Sequence, residues 1–266
     1  MATKFGFCGA GNMGKAMIRG ILGAGLAKAQ DIYVFDAYKP GLEALAAELK
    51  IIPVASEEEA AKQADILILA VKPDVVPAVL QKVKGIIGKD KIVVSIAAGV
   101  SLERLENNLE AGAKAVRVMP NTPALVGEGM AALCPNKFLS EQEKDTVLSV
   151  FSSFGKAEFI AEKHMDAIVG LIGSGPAYVY MFIEALADGA VFCGMPRDVA
   201  YRMAAQTVLG SAKTVMQTGQ HPGALKDMVC SPGGTSIAAV RDLEERGFRS
   251  AVINAVRVAA EKNSQL

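Results

Sequence analysis

The chain has no tryptophan, two histidines and four cysteines among 266 residues. Cys8, Cys134, Cys193 and Cys230 lie far apart, and no pair has metal-ligand or redox spacing. With only His164 and His221 to assist them, they argue against zinc and against a disulfide framework. No metal is expected, and the four cysteines read as free thiols buried among small and apolar neighbours. An excess of charge is missing too: Lys plus Arg and Asp plus Glu both number 28. That removes the electrostatic case for nucleic acid or an anionic membrane as a partner. Met1-Ala2-Thr3-Lys4 leads straight into a strand pattern, without the apolar stretch of a secretory signal. The longest apolar stretch, near Ile168 to Cys193, is broken by Pro176 and carries Glu184 and Asp188. It therefore reads as a buried helix and not as a membrane span. A soluble, cytoplasmic protein is expected, with partners recruited through local sites.

What the chain has in quantity is apolar surface, 51% of its residues, enough for one large domain or two modest ones. Its first part alternates short apolar runs with helical patterns. Phe5–Cys8, Ile32–Phe35, Ile66–Val71, Ile92–Ile96 and Val116–Met119 read as strands, with later ones near Ala131–Cys134 and Ala157–Ile160. Runs rich in β-branched residues are the mark of parallel strands covered on both faces. Alternation with helices implies βαβ units in a doubly wound sheet. From about Lys163 the pattern becomes helical, roughly Asp166–Phe192, Arg197–Thr218 and a last pair from Thr235 to the end, with no convincing strand. The fold class is α/β: a Rossmann-type doubly wound parallel sheet over residues 1–162, followed by an all-α domain over 163–266. Several of these helices are apolar on more than one face, so they are expected to pack against a second subunit and make the protein a homo-oligomer. The alternative is that those faces pack on the first domain.

Gly9-Ala10-Gly11-Asn12-Met13-Gly14 fits the G-x-G-x-x-G turn, directly after a strand and opening a helix. The first glycine permits the tight turn, the second lets backbone approach a pyrophosphate, and the third allows close helix–strand contact. Phosphates then sit on free amides at the positive end of a helix dipole. A nicotinamide dinucleotide, NADP(H) or NAD(H), is the expected cofactor. Asp36, 22 residues past Gly14, ends the second strand. A carboxylate there accepts hydrogen bonds from the adenosine ribose and repels a 2′-phosphate, favouring NAD. Lys39 pulls the other way, toward a 2′-phosphate, and a third reading has Asp36 simply ending its strand. Ala70-Val71-Lys72-Pro73 and Ala97-Ala98-Gly99 follow the next two strands, at the carboxyl edge where such sheets bind ligands. Lys72 reads as a surface charge whose backbone lines the cofactor. Asn121, between Pro120 and Pro123, either holds the nicotinamide carboxamide or the substrate, or caps its turn.

Two segments of the helical part also look like sites. Gly173-Ser174-Gly175-Pro176-Ala177-Tyr178 interrupts an apolar helix. Ser231-Pro232-Gly233-Gly234-Thr235-Ser236 leads into a helix, offering exposed amides and three hydroxyls to a small carboxylate substrate. Its other reading is helix capping alone.

Taken together, the glycine turn, Ala70–Pro73, Ser95–Gly99, Met119–Pro123, Gly173–Tyr178 and Ser231–Ser236 resemble the pyrroline-5-carboxylate reductase family, in order and at matching separations over essentially the whole chain. The resemblance implies reduction of L-1-pyrroline-5-carboxylate to L-proline with NADPH or NADH, the last step of proline biosynthesis. It implies a helical dimerisation domain, with each active site completed by the partner subunit. It also implies that Ser231 and the amides of Gly234, Thr235 and Ser236 hold the substrate carboxylate, while the Ser236 hydroxyl hydrogen-bonds the ring nitrogen. The chain departs from the family's usual pattern at Ser236, where threonine is common, and at Asp36, where many relatives are neutral or basic. A β-hydroxyacid dehydrogenase is the competing enzyme reading, with Lys213 the only candidate base inside the long helices. A non-catalytic dinucleotide sensor is the reading from another class.

Overall fold

The structure is a computed structural model that describes residues 3–265. Its first half is built on eight strands: β1 (Phe5–Cys8), β2 (Ile32–Phe35), β3 (Ile52–Pro53), β4 (Ile66–Leu69), β5 (Ile92–Ser95), β6 (Lys114–Met119), β7 (Gly129–Pro135) and β8 (Gly155–Phe159). They form one sheet in the order β3-β2-β1-β4-β5-β6-β7-β8. Between them run α1 (Asn12–Gly23), α2 (Lys39–Leu49), α3 (Glu57–Gln63), α4 (Val76–Val83), α5 (Leu102–Asn107) and α6 (Glu141–Ser152). The five principal strands fall where the apolar runs place them.

Every residue of β1, β4 and β5 is buried, as expected for strands roofed on both faces. Alternation sends successive side chains to opposite layers. Ile66, Ile68 and Val94 join Phe7, Met17, Ile18 and Phe151 in one core, while Leu67, Leu69 and Val93 join Val79, Leu80 and Leu105 in the other. Each such side chain stabilises the fold by about 1.5–3 kcal/mol relative to exposure. Cys8 belongs to the second core, where burial, with Glu57 nearby, pushes its thiol up to about 12.

The purely parallel expectation fails at one pair, since β7 runs antiparallel to β6. Only the segment 120–128 joins them, and it holds a single 3₁₀ turn, Thr122–Val126. A parallel return needs a crossover of a dozen residues or more, so this link can only close a hairpin. After α6 the chain returns as β8, parallel to β7.

Beyond the sheet come α7 (Met165–Ile168), α8 (Gly175–Phe192), α9 (Arg197–Thr218), α10 (Pro222–Val229), α11 (Thr235–Glu245) and α12 (Phe248–Asn263). The first long helix is broken where its glycines foretell: Val169–Gly173 is a π-helical turn, with Ser174 N–H donating to Val169 O at 2.8 Å. A β-carbon on Gly173 would lie 2.5 Å from Met119 Cε, so its absence lets this turn approach the end of β6. The helix α10, directly after the Gly219–Pro222 punctuation, has no counterpart in the sequence reading.

Contacts divide the chain into two compact units: one runs to Ser174 and includes the segment from Val258 onward, the other is Gly175–Arg257. In the first, Arg117 (7% exposed) pairs with Glu162 at 3.2 Å, and Asp166 accepts from Asn263 Nδ2 at 2.6 Å. In the second, α8 and α9 meet through small residues. Among its described residues only Ala187, Ala200 and Ala204 are buried. This corrects two expectations. The apolar run Glu162–Phe192, by composition long enough to cross a membrane, is not buried within its own chain: Met181 is 69% and Tyr180 59% exposed. Likewise only Cys8 and Cys134 are buried thiols, whereas Cys193 is exposed and Cys230 intermediate. The cause is shared, because apolar helix faces of this unit find no cover within the unit itself.

Candidate active site

Cys8, Phe35, Leu69 and Ser95 stand level across the sheet. The segments beginning at Gly9, Asp36, Ala70 and Ile96 therefore emerge side by side from the carboxyl edge, where the strand order turns from β1 toward β2 on one side and β4 on the other. A crevice at that switch point is where an open α/β sheet binds its ligand.

The three turn glycines have three different reasons. Gly9 has φ +104°, and a β-carbon there would lie 2.4 Å from Ala70 O. Its N–H donates to Phe35 O and Ala70 N–H donates to Cys8 O, both at 2.8 Å, which draws the neighbouring strand ends together. A β-carbon on Gly14 would meet Gly9 O at 2.7 Å, so that glycine lets α1 lie against the turn. Gly11 is different, since a β-carbon there would meet nothing within 4 Å. Packing inside the protein does not demand glycine at this position, but close approach of a pyrophosphate does. Gly11 is also the N-cap of α1, with no side chain to cap it and no acidic residue in the first turn. The amides of Asn12, Met13 and Gly14 are left to an outside acceptor at the positive end of the helix. These residues fit a dinucleotide.

Around the turn, Asp36 is half-buried, and its Oδ2 accepts from Ala10 N–H at 2.6 Å while Oδ1 accepts from Tyr38 N–H at 2.8 Å. The sequence places Asp36 beside the cofactor, but its bond to Ala10 is not legible there, because no local signal pairs residues 26 positions apart; the bond to Tyr38, two residues on, is a local aspartate turn. Lys39 is exposed at the start of α2. Lys72 is exposed, with Ala70, Val71 and Pro73 partly covered beside it, and Val75 N–H donates to Lys72 O at 3.0 Å to close the loop. Ala97, Ala98 and Gly99 follow β5, and Gly99 takes φ +73°. Asn121 Oδ1 accepts from Met130 N–H at 2.8 Å, tying its loop to β7. The acceptor end of that side chain is thus structural, which leaves its amide donor for a ligand.

The second constellation lies in the helical unit. Ser231-Pro232-Gly233-Gly234 is a tight turn in which Gly234 N–H donates to Ser231 O at 3.0 Å and Gly233 takes φ +68°. Proline and then a left-handed glycine are what such a turn requires. A β-carbon on Gly234 would lie 2.3 Å from Ser231 Oγ. As N-cap of α11, Gly234 caps nothing, and no acidic residue occupies the first turn. Ser231 and Thr235 are exposed and Ser236 is half-buried. Unmet amides and three hydroxyls share one helix N-terminus, a cradle suited to a small carboxylate. Among the described residues no group of three or more metal-ligating side chains comes together.

A glycine turn at the switch point of a doubly wound sheet, with an all-helical region after it, defines a dinucleotide-dependent oxidoreductase of Rossmann type. Residues 4–99 match the family described as NADP oxidoreductase, coenzyme F420-dependent, and residues 162–266 match pyrroline-5-carboxylate reductase dimerisation. The pyrroline-5-carboxylate reductase of Escherichia coli K12 is 50% identical over 266 residues, covering 100% of this chain and 99% of its own. That of Methanosarcina acetivorans is 46% identical, covering 99% and 97%. The crystal structure of the Plasmodium falciparum pyrroline carboxylate reductase with NADP bound is 37% identical, with a TM-score of 0.90 over 99% of this chain and 97% of that one. The chain belongs to the pyrroline-5-carboxylate reductase family.

Proposed function

We infer that the chain reduces L-1-pyrroline-5-carboxylate to L-proline with NAD(P)H, the closing step of proline biosynthesis. The observation that carries this reading is the uncapped start of α11, where Ser231, Thr235, Ser236 and open amides surround a place for one carboxylate. Bound NAD(P)H supplies a hydride to the imine carbon, and the ring nitrogen takes the electron pair of the C=N bond together with one proton. A protonated imine is already electrophilic, so the protein's task is orientation at close range more than acid–base assistance.

The roles divide between the two constellations. Gly9 to Gly14 and the segments holding Asp36, Lys39, Ala70–Pro73, Ala97–Gly99 and Asn121 hold the dinucleotide. Ser231, Gly233, Gly234 and Thr235 hold the substrate carboxylate. Ser236 orients the ring nitrogen through its hydroxyl and is the proposed catalytic residue. Lys213, the base that a hydroxyacid dehydrogenase would need, is exposed on α9, which gives that reading no support.

We assign residues 1–162 to dinucleotide binding and 163–266 to dimerisation and substrate binding. The match to a dimerisation family over 162–266 supports a homo-oligomer, and the exposed apolar faces of α8, α9 and α12 are the surfaces proposed to build its dimer. We place this enzyme in solution in the cytoplasm, with no nucleic-acid or membrane partner. The test follows NAD(P)H absorbance with pyrroline-5-carboxylate and, separately, with β-hydroxyacids. Oxidation is expected with the imine alone, and Ser236→Ala is expected to lower kcat/KM by roughly 10–100-fold. No oxidation with the cyclic imine overturns the reading, and full turnover by Ser236→Ala removes that residue's role.

A further inference from the structure

Asp36 stands where the sequence predicts a carboxylate that reads the ribose, yet both of its oxygens face backbone donors. Oδ2 holds Ala10 N–H at 2.6 Å and Oδ1 holds Tyr38 N–H at 2.8 Å. The second bond closes a short turn after β2, of the kind aspartate side chains make locally. The first reaches into the glycine turn. Ala10 is only 6% exposed, so its amide is poorly placed to take water in exchange for Asp36. The preceding amide, Gly9 N–H, is held by Phe35 O at 2.8 Å. Two successive amides of the turn are therefore anchored to the end of β2, one by main chain and one by this carboxylate. Among the described residues no other side chain hydrogen-bonds the turn from β2 or the loop after it.

We propose that Asp36 is a positioning residue: a strut that fixes the phosphate-binding turn against the loop after β2, serving NADH and NADPH alike and selecting neither. The proposal rests on the dinucleotide reading above. Its physical basis is that carboxylate–amide bonds are charge-assisted and directional, so they hold geometry. Two N–H dipoles pointing at the carboxylate also offset its charge, which weakens the repulsion that an unpartnered aspartate would exert on a 2′-phosphate. The amides that meet the pyrophosphate begin only two residues after Ala10, at Asn12, and a small displacement of the turn moves them together.

The experiment titrates NADH and NADPH separately into the full-length protein by fluorescence, without imine, for wild type, Asp36→Ala and Asp36→Asn, and then measures kcat and KM. Asp36→Ala is expected to weaken both cofactors by a similar factor, about tenfold, with kcat changed by less than about twofold. Asp36→Asn keeps one acceptor oxygen and is expected to fall between wild type and the alanine variant. Amide exchange at Ala10 is expected to quicken in Asp36→Ala before any cofactor is added. Should the alanine variant fail to fold, the asparagine variant carries the same comparison. Tighter NADPH with weaker NADH makes Asp36 a ribose reader and overturns the proposal, as do unchanged affinities for both. Wild-type protein that binds neither cofactor sinks the dinucleotide reading, and the strut with it.

Discussion

Replacing Gly11 by alanine separates the needs of the fold from those of the cofactor. The residue has φ −67° and ψ −170°, which alanine adopts without strain, and the added methyl touches no protein atom within 4 Å. The fold loses only the preference for glycine over alanine at an N-cap, about 0.5–1 kcal/mol. For a chain of this size that lowers Tm by about 1–4 °C. The cofactor is affected much more. Phosphate oxygens sit about 2.9 Å from amide nitrogens, closer than the roughly 3.5–4 Å a methyl carbon tolerates. Pushing the pyrophosphate outward weakens roughly two charge-assisted bonds, about 3 kcal/mol together, or on the order of a hundredfold in Kd. Fluorescence titration with NADPH and thermal unfolding on the same preparation read both quantities. Gly9→Ala is the contrast, because φ +104° and a 2.4 Å approach to Ala70 O predict lost stability as well, about 3 kcal/mol or more. Binding of NADPH by Gly11→Ala within about threefold of wild type would show that the open space above Gly11 is not where the pyrophosphate sits.

Two further outcomes follow from other parts of the structure. Burial pushes the Glu143 carboxyl upward, but Lys114 and the capping contacts with Ser140 outweigh it and hold the group below its ordinary range. A lowered folded-state value means that the stabilisation is present at neutral pH and fades as acid carries the group through that value. Glu143→Gln should therefore cost about 1 kcal/mol near neutrality, with the gap to wild type closing below the usual carboxylate range; a gap that stays constant in thermal melts from pH 7 to 3 contradicts this. Met181 and Ile253, each 69% exposed, are expected to lie in the dimer contact. Aspartate at both should weaken association by more than about a hundredfold and yield monomers by light scattering, while an unchanged oligomer mass assigns the contact elsewhere.

Local patterns in the chain determined the principal strands, the glycine turn with the helix behind it, and the limits of α9. Each of these is written within a few neighbouring residues. Pro196 stands immediately before Arg197, and Gly219 follows Thr218 with φ +64°, so backbone preference alone marks both ends of that helix. The break at Gly173 was legible for the same reason. Tertiary structure decided what depends on which distant segments meet. The hydrogen bond from Ala10 to Asp36 spans 26 residues, and only the shared level of β1 and β2 brings the two together. The antiparallel turn of β7 follows from the shortness of the 120–128 link, whereas the apolar composition of β7 does not state its direction. The exposure of Cys193 and of the faces of α8, and the partial exposure of Cys230, follow from the lack of cover within the helical unit. Burial is a property of neighbours, and a residue's own apolarity states only that neighbours are wanted.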